Sequence, residues 1–433
     1  MALFHKILFW QKSEASRHFR PSPIYGLICL CAFLLIFFIR RPSQFTDAYV
    51  WFEEGVVLLP LVIEHGAGSI FIPFGGYLSI SSNLTFYVAS LISFTHLPLV
   101  SFLLTLALSF FLIWRLDRQL ITPSRGFFFF LAAFALVPSD PEVLGITQEN
   151  IFLIGLFAVL SWWMVLAGQS KLHTIDHVLI VVAILSSPIA FALFPLYTAL
   201  LLTRKKTEAK TWGFGFCALA FVIQLSQLTP APLDANAGSD SLIKEIFLKL
   251  DDAIAIFLGY FINVGAADEN FYLLGLAILG VLIGYFVFLI LDNWRSTVFI
   301  YCALGLGILL TWYRIPGLSI HPELAGPRYF FYPWSLVISI LLCPALMFNG
   351  LRRRILGIVG LMVVSIAVMN NAHIMQRHHL EWDWAGQIRN CVNTDPGEDY
   401  WLMIFRTGKI EEDATSVRIN SDVCRTLVNR SIF

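Results

Sequence analysis

The apolar run IYGLICLCAFLLIFFI, residues 24–39, leads into a short acidic stretch, Asp47-Ala48-Tyr49-Val50-Trp51-Phe52-Glu53-Glu54-Gly55. These two segments decide the reading of the chain. A helix rising about 1.5 Å per residue over the first run approaches the thickness of a bilayer core, so it reads as a membrane span. The second run places Asp47, Glu53 and Glu54 just beyond that span. Tyr49, Trp51 and Phe52 anchor it at the headgroup level. Carboxylates held there have limited access to water, which raises their proton affinity and suits a general base.

Composition extends this reading to the whole chain. Of 433 residues, 58% are hydrophobic and 13% charged, and the mean hydropathy is +0.74. A soluble protein of this size could not hide so much apolar surface, so lipid is the solvent for much of it. The formal net charge of zero gives no reason to expect a nucleic-acid partner. Residues 1–23 are polar and basic, with Lys6, Lys12, Arg17 and Arg20, and do not resemble a cleaved signal peptide. By the positive-inside rule they are cytoplasmic. Arg40 and Arg41 oppose that rule but are outweighed by the later basic loops.

The expected fold is an all-α polytopic membrane protein with about eleven crossings, counted at bilayer thickness. A cytoplasmic segment covers residues 1–23 and the membrane domain 24–370. Within it, residues 41–97 form a first external loop. Val56–Glu64, Ser69–Ile80 and Leu84–Phe94 read as interfacial pieces. A pair of short spans, Val178–Ile189 and Leu193–Leu202, is expected to break near Pro188 and Pro195. Ile243–Ile262 reads as a surface segment. Tyr272–Leu291 and Val298–Leu310 read as separate spans. Residues 371–433 form a polar external tail, where Cys391 and Cys424 pair if the compartment is oxidising.

Three groups of residues are candidates for chemistry. In the first loop, a helical conformation would put Asp47 and Glu54 on one face and turn Glu53 elsewhere, so that two acids face one cleft. A solvated turn is the plainer alternative. In the third loop, Arg328 follows Gly326-Pro327 at the start of a span. It is either a snorkelling interface arginine or a fork-shaped clamp for a lipid-linked phosphate. Tyr329 adds a donor there, and Arg314 and His321 are lesser candidates. The second loop supplies Glu142, Gln148, Glu149 and Asn150; its amides either hold sugar hydroxyls or cap helices, with Asn150 or Thr147 beginning the next span. The tail aromatics Trp382, Trp384, Tyr400 and Trp401 serve a sugar-binding face or a small core. No Walker-type phosphate loop, dinucleotide fingerprint, zinc spacing or nucleophile elbow is present, so energy for a reaction comes from its substrates.

In order and sidedness these motifs resemble the GT-C type glycosyltransferases that use polyprenyl-phosphate sugars, and bacterial serotype-converting O-antigen glucosyltransferases in particular. The likeness rests on Trp51-Phe52-Glu53-Glu54-Gly55, Pro73-Phe74-Gly75-Gly76-Tyr77-Leu78, the loop Pro138–Asn150 and Gly326-Pro327-Arg328-Tyr329-Phe330. Glu54 stands where the family pattern has aspartate. The resemblance implies an inverting transferase in the bacterial inner membrane, with its site facing the periplasm. Its donor is a polyprenyl-phosphate sugar, glucose being one such sugar. The acceptor is a hydroxyl of a glycan or lipid-linked molecule such as O-antigen. Asp47, Glu53 and Glu54 are then the catalytic candidates, and Arg328, Tyr329 and Arg314 hold the donor phosphate. Tyr77, Gln148, Asn150 and His321 contact substrate. No cofactor is required, although some members of the fold use a divalent metal. The competing reading is a transporter or flippase of a lipid-linked sugar. It calls for polar residues along the middles of several spans, and these spans are almost free of them.

Overall fold

The computed structural model describes residues 23–120, 126–203, 211–228, 257–265, 268–314, 328–347, 351–377, 379–380, 382–405 and 414–432. The chain is nearly all helical. Helix α1 spans Pro23–Arg40, α2 Leu59–His65, α3 Ile80–Ile92 and α4 Leu97–Gln119. Then follow α5 Gly126–Ala135, α6 Asn150–Leu166, α7 Thr174–Ile184, α8 Pro188–Leu202 and α9 Thr211–Gln227. A long α10, Asp268–Arg314, precedes α11 Arg328–Met347 and α12 Leu351–Asn370. Among the described residues, five stretches are long and apolar enough to cross a membrane: Pro23–Arg40, Glu54–Phe71, Leu97–Gln119, Thr147–Leu166 and Tyr272–Thr311. Several shorter apolar helices accompany them. This makes the chain a multi-pass membrane protein by length and composition. Leucines and isoleucines of α1, α10 and α12 stay exposed, as Leu35, Leu273 and Ile358 do at 59%, 66% and 59%, and such faces belong in lipid.

One of the five stretches does not run through the bundle. Glu54–Phe71 is a π-helical turn (Glu54–Leu58), α2, and a 3-10 turn from Gly66, whose φ is +52°. Its first residue accepts a hydrogen bond from the Thr147 amide. Near its end, the Ser69 carbonyl accepts one from Asn83. The neighbouring Ser82 hydroxyl donates to the Gln148 carbonyl. Both ends therefore lie beside residues 147–148, at the same end of the bundle.

Local chemistry sets the breaks. The α7/α8 pair parts at Leu185–Ser187, where Pro188 opens α8 without needing an amide partner. Pro195 lies inside α8, so the expected second break is absent. In α10 the backbone departs from helix at Asn293 (φ −154°, ψ 90°), between the two apolar runs, and its side chain donates to the Leu166 carbonyl at 3.0 Å. Most of Ile243–Ile262 lies outside the described residues.

The tail corrects the all-α expectation. It holds α13 (Trp384–Asn393), a hairpin of β1 (Asp399–Phe405) and β2 (Ala414–Asn420), and α14 (Ser421–Arg430). The strands are antiparallel, with Leu402 opposite Val417. Leu402 and Ile404 are buried while Trp401 and Met403 are exposed, the period-two pattern of a half-buried strand. Cys391 and Cys424 form a disulfide across α13 and α14. The tail core of Trp384, Ile388, Leu402 and Ile419 is continuous with Val50, Leu59, Phe86 and Phe94 of the first loop. The tail is thus seated on that loop, and Trp384 Nε1 donates to the Phe94 carbonyl at 3.1 Å.

The bundle has two chemically distinct ends. Helix α4 starts beside Phe94 and the tail, and ends on Arg115 and Arg118. Helix α12 starts with Arg354 in its first turn and ends at Asn370, just before Arg377, which pairs with Asp140 at 2.8 Å. Arg115, Arg118 and Arg354 lie at one end; the loop acids, with the arginines they pair, and the tail with its disulfide lie at the other.

Candidate functional site

The site starts from how the chain leaves α1. Arg40 and Arg41 are buried, at 3% and 2% exposure, and act as anchors for the second loop. Arg40 donates to the carbonyls of Ala135 and Ser139, and Arg41 to those of Pro141, Glu142 and Leu144. A guanidinium with many carbonyl partners can be buried at tolerable cost, which is why this pair does not report sidedness. The same loop turns at Gly145 (φ +79°), where a Cβ would overlap Phe102.

After the short helix Pro42–Thr46 the chain is not helical from Asp47 to Trp51. This non-helical stretch breaks the helical spacing expected of the acids. Asp47 turns to the tail, accepting from the Trp382 amide at 2.6 Å. Glu54 is buried, its Oε2 accepting from the Trp51 amide at 3.0 Å and its Oε1 from the Thr147 amide at 2.6 Å. It staples the first loop to the second and does not line the cavity. Glu53, the acid expected to point elsewhere, is the one that lines it.

Arg328, the first residue of α11, closes the constellation. Its Nη1 lies 2.6 Å from Glu53 Oε1, 3.2 Å from Glu142 Oε1 and 3.3 Å from Glu149 Oε1. Residues from the first, second and third loops thus meet at one nitrogen. Among the described residues, Arg328 Nε and Nη2 and Glu53 Oε2 make no hydrogen bond. Burial holds the Glu142 carboxyl above its ordinary range, against the opposing pull of Arg328 and Arg377, with Asp140 and Glu53 adding to the rise. The point on which the three carboxylates converge is filled by the guanidinium. The arrangement therefore does not fit a metal ion, and no group with a metal-holding arrangement occurs among the described residues.

Beside these charges is a cavity of about 350 Å3. Its polar lining includes Glu53, Tyr77, Gln148, Glu149 and Arg328; Ile151, Phe152, Ile189 and Leu310 form apolar wall. One rim is a tight turn, Phe74–Tyr77, closed by backbone bonds of 2.9 and 3.4 Å. Gly75 and Gly76 sit at φ +63° and +91°, left-handed values that glycine adopts without strain. The Gln224 amide holds the next residue, accepting from the Leu78 amide at 3.3 Å and donating to its carbonyl at 3.4 Å. Beneath, Tyr332 donates to the Ile151 carbonyl at 2.8 Å and pairs with Ser187 at 2.7 Å, in space left by Gly155.

The structure therefore brings Glu53, Arg328, Tyr329, Tyr77 and Gln148 to one cavity. It leaves Asp47, Glu54 and Asn150 outside it. Asn150 is buried, with its amide near the hydroxyls of Thr85 and Thr105, both at 3.4 Å. Arg314 ends α10, its side chain not described, and His321 lies outside the described residues. Glu142 and Glu149, which the sequence placed in the second loop without a role of their own, belong to the centre. Of the tail aromatics, Trp384 is core and Trp401 is exposed at 56%.

Two predictions follow from the supports of this site. A Cβ on Gly55 would overlap Ile404 Cδ1 of β1, so Gly55→Val should lever the tail off the acid-bearing loop. Faster protease cleavage near residue 384 than in the wild type is the expected result. His379 stacks on Tyr49 with ring centroids 3.2 Å apart. Burial pushes its imidazole down to about 3, offset in part by its bond to the Leu380 carbonyl, with Arg41 and Arg377 adding to the fall. A depressed histidine contributes stability that is present above its unfolded value of about 6.5 and is lost as pH falls toward 3. Thermal unfolding of His379→Phe should show a shallower loss than wild type across that window. Compared with protein-family models, curated proteins and solved structures, the chain matches none.

Proposed function

We propose that this chain is a membrane glycosyltransferase of the GT-C type. It moves a sugar from a polyprenyl phosphate to a hydroxyl of a glycan or lipid-linked acceptor at the outer face of the bacterial inner membrane. The observation that carries the reading is the meeting of Glu53 and Arg328, 275 positions apart, in the lining of a cavity with apolar walls. A base and a phosphate-binding cation are the two groups such a transfer needs.

In this mechanism, the acceptor hydroxyl lies against Glu53 Oε2. As its oxygen attacks the anomeric carbon, its proton passes to Glu53. The bond from that carbon to the phosphate oxygen breaks, and polyprenyl phosphate leaves with the electron pair. One displacement inverts the anomeric configuration. Phosphate is already a good leaving group, so no acid is needed on its oxygen. Arg328 offers Nε and Nη2 to the charge that grows there, the kind of fixed electrostatic stabilisation that is strong in a site shielded from water.

Sidedness rests on two independent signs. The basic residues Arg115, Arg118 and Arg354 lie at the end away from the site, as cytoplasmic loops do. The Cys391–Cys424 disulfide lies at the site end, and disulfides persist in oxidising compartments such as the periplasm. The test is to incubate the purified protein in nanodiscs with polyprenyl-phosphate sugars and a lipid-linked glycan acceptor, and follow polyprenyl phosphate. Its release in step with glycosylated product is expected. Donor that is carried across sealed vesicles without cleavage would replace the reading with a flippase.

A further inference from the structure

Three carboxylates and one guanidinium do not balance. Arg328 Nη1 meets an oxygen of Glu53 at 2.6 Å, of Glu142 at 3.2 Å and of Glu149 at 3.3 Å. The neighbouring pair, Arg377 with Asp140 at 2.8 Å, is balanced within itself. With every acid ionised, the cluster holds an excess of negative charge over Arg328. A phosphodiester brought to Arg328 Nε and Nη2 adds to that excess. Glu142 and Glu149 have side-chain exposures of 6% and 3%, so water screens the repulsion poorly. A like charge brought close favours the neutral form of a carboxyl group. A proton taken up by one of these acids removes one of the opposing charges.

The contacts single out which acid takes it. Glu53 has the shortest contact with Arg328, and it must stay ionised to act as the base. Glu142 is also attracted by Arg377, which is not among the cavity-lining residues. Glu149 lines the cavity beside Arg328, so the cation it pairs with is the one a phosphate engages. The ionisable groups around Glu149 are Glu53 and Glu54 of the first loop, Glu142 of its own loop, Arg328 and Tyr332 of α11, and Tyr77 across the cavity. Resting on the transfer reading above, we propose that Glu149 takes up a proton from water when the donor phosphate binds Arg328, so that the site receives its lipid phosphate together with a proton. The new O–H bond is on Glu149, and Glu53 keeps its charge and its role as base. Glu149 is in this sense a positioning residue: it acts on the phosphate through Arg328. Donor binding then weakens as pH rises, because the proton that accompanies the phosphate is harder to supply.

The experiment measures binding of polyprenyl-phosphate hexoses to the protein in phosphatidylcholine nanodiscs, without acceptor, from about pH 6 to about pH 9.5. Each ligand is a phosphodiester that keeps its single charge throughout, so only the protein titrates. In the wild type, Kd should rise toward the alkaline end with a limiting slope of about tenfold per pH unit, as linkage to one proton requires. Calorimetry there, in two buffers of different ionisation heat, should show uptake of about one proton per donor bound. In Glu149→Gln, a neutral stand-in for the protonated acid, Kd should stay near the wild type's low-pH value at every pH, with no proton taken up. Glu142→Gln should keep the wild-type slope. A wild-type Kd independent of pH, with no proton uptake, would overturn the proposal without recourse to any variant and leave glycosyl transfer intact. So would a slope that persists in Glu149→Gln. Binding of no polyprenyl-phosphate hexose at any pH would instead remove the transfer reading, and this proposal with it.

Discussion

Glu53→Gln should lower kcat for sugar transfer by about 10²- to 10⁴-fold, the range a positioned general base contributes, with little change in folding. The amide keeps the size of the side chain and an oxygen to accept from Arg328 Nη1, 2.6 Å away in the wild type. It cannot take the acceptor's proton. Donor binding should therefore survive while turnover collapses, which separates a chemical role from a structural one. The neighbouring acid gives the contrast. Glu54 uses both oxygens to accept backbone amides, and an amide side chain offers one oxygen and one donor. Glu54→Gln should thus unfold at lower temperature. Asp47→Asn, whose oxygen still accepts from Trp382, should change kcat little. Parallel measurement of kcat and thermal unfolding in the three variants distinguishes these roles. Wild-type kcat in Glu53→Gln would exclude it as the base.

The second large effect is expected at Arg328. Arg328→Met removes the positive partner that Glu53, Glu142 and Glu149 share, and the latter two have side-chain exposures of 6% and 3%. Breaking a buried ion pair by deleting one partner costs about 3–5 kcal/mol. The carboxylates can escape part of that cost by taking up protons. Glu142 is already raised by burial in the wild type, and removing Arg328, which opposes the rise, raises it further. A carboxyl raised on folding contributes stability that is present below its unfolded value and is lost as pH rises through the folded one. The Arg328→Met defect should therefore deepen with increasing pH and ease in mild acid. Arg328→Lys retains charge but loses the planar fork. It should fold at neutral pH yet bind the donor less tightly. Thermal unfolding against pH, with donor binding at one fixed pH, checks both statements. A pH-independent defect in Arg328→Met would contradict the shared ion cluster.

The sequence exposes the broad architecture because apolar runs reveal helices directly. The ends of α1, α4 and α6 fall close to the apolar runs that announce them, and the polar loops between them carry the candidate acids. The placement of those acids is another matter. Asp47, Glu53 and Glu54 look equivalent along the chain. Only the loss of helix from Asp47 to Trp51 sends them three ways, to the tail, the cavity and the Thr147 amide. The same limitation hid Glu142 and Glu149. An acid beside Asn150 at the start of an apolar run carries no role of its own along the chain, and its pairing with Arg328 is a contact between residues 179 positions apart. Arg40 and Arg41 misled for a related reason. Charge counting treats them as solvated loop residues, whereas both are spent on the carbonyls of the second loop. The β-hairpin escaped notice because its core alternation, Tyr400, Leu402 and Ile404, is short and set among exposed Trp401 and Met403.

The anomeric outcome of a single transfer tests the central claim most directly. Purified protein in nanodiscs would receive a polyprenyl-phosphate sugar labelled with ¹³C at the anomeric carbon, together with acceptor, and NMR would record the linkage formed. Direct attack by an acceptor hydroxyl deprotonated at Glu53 predicts one released polyprenyl phosphate per product and inverted configuration. Retained configuration, or product formed without release of the lipid phosphate, would contradict it.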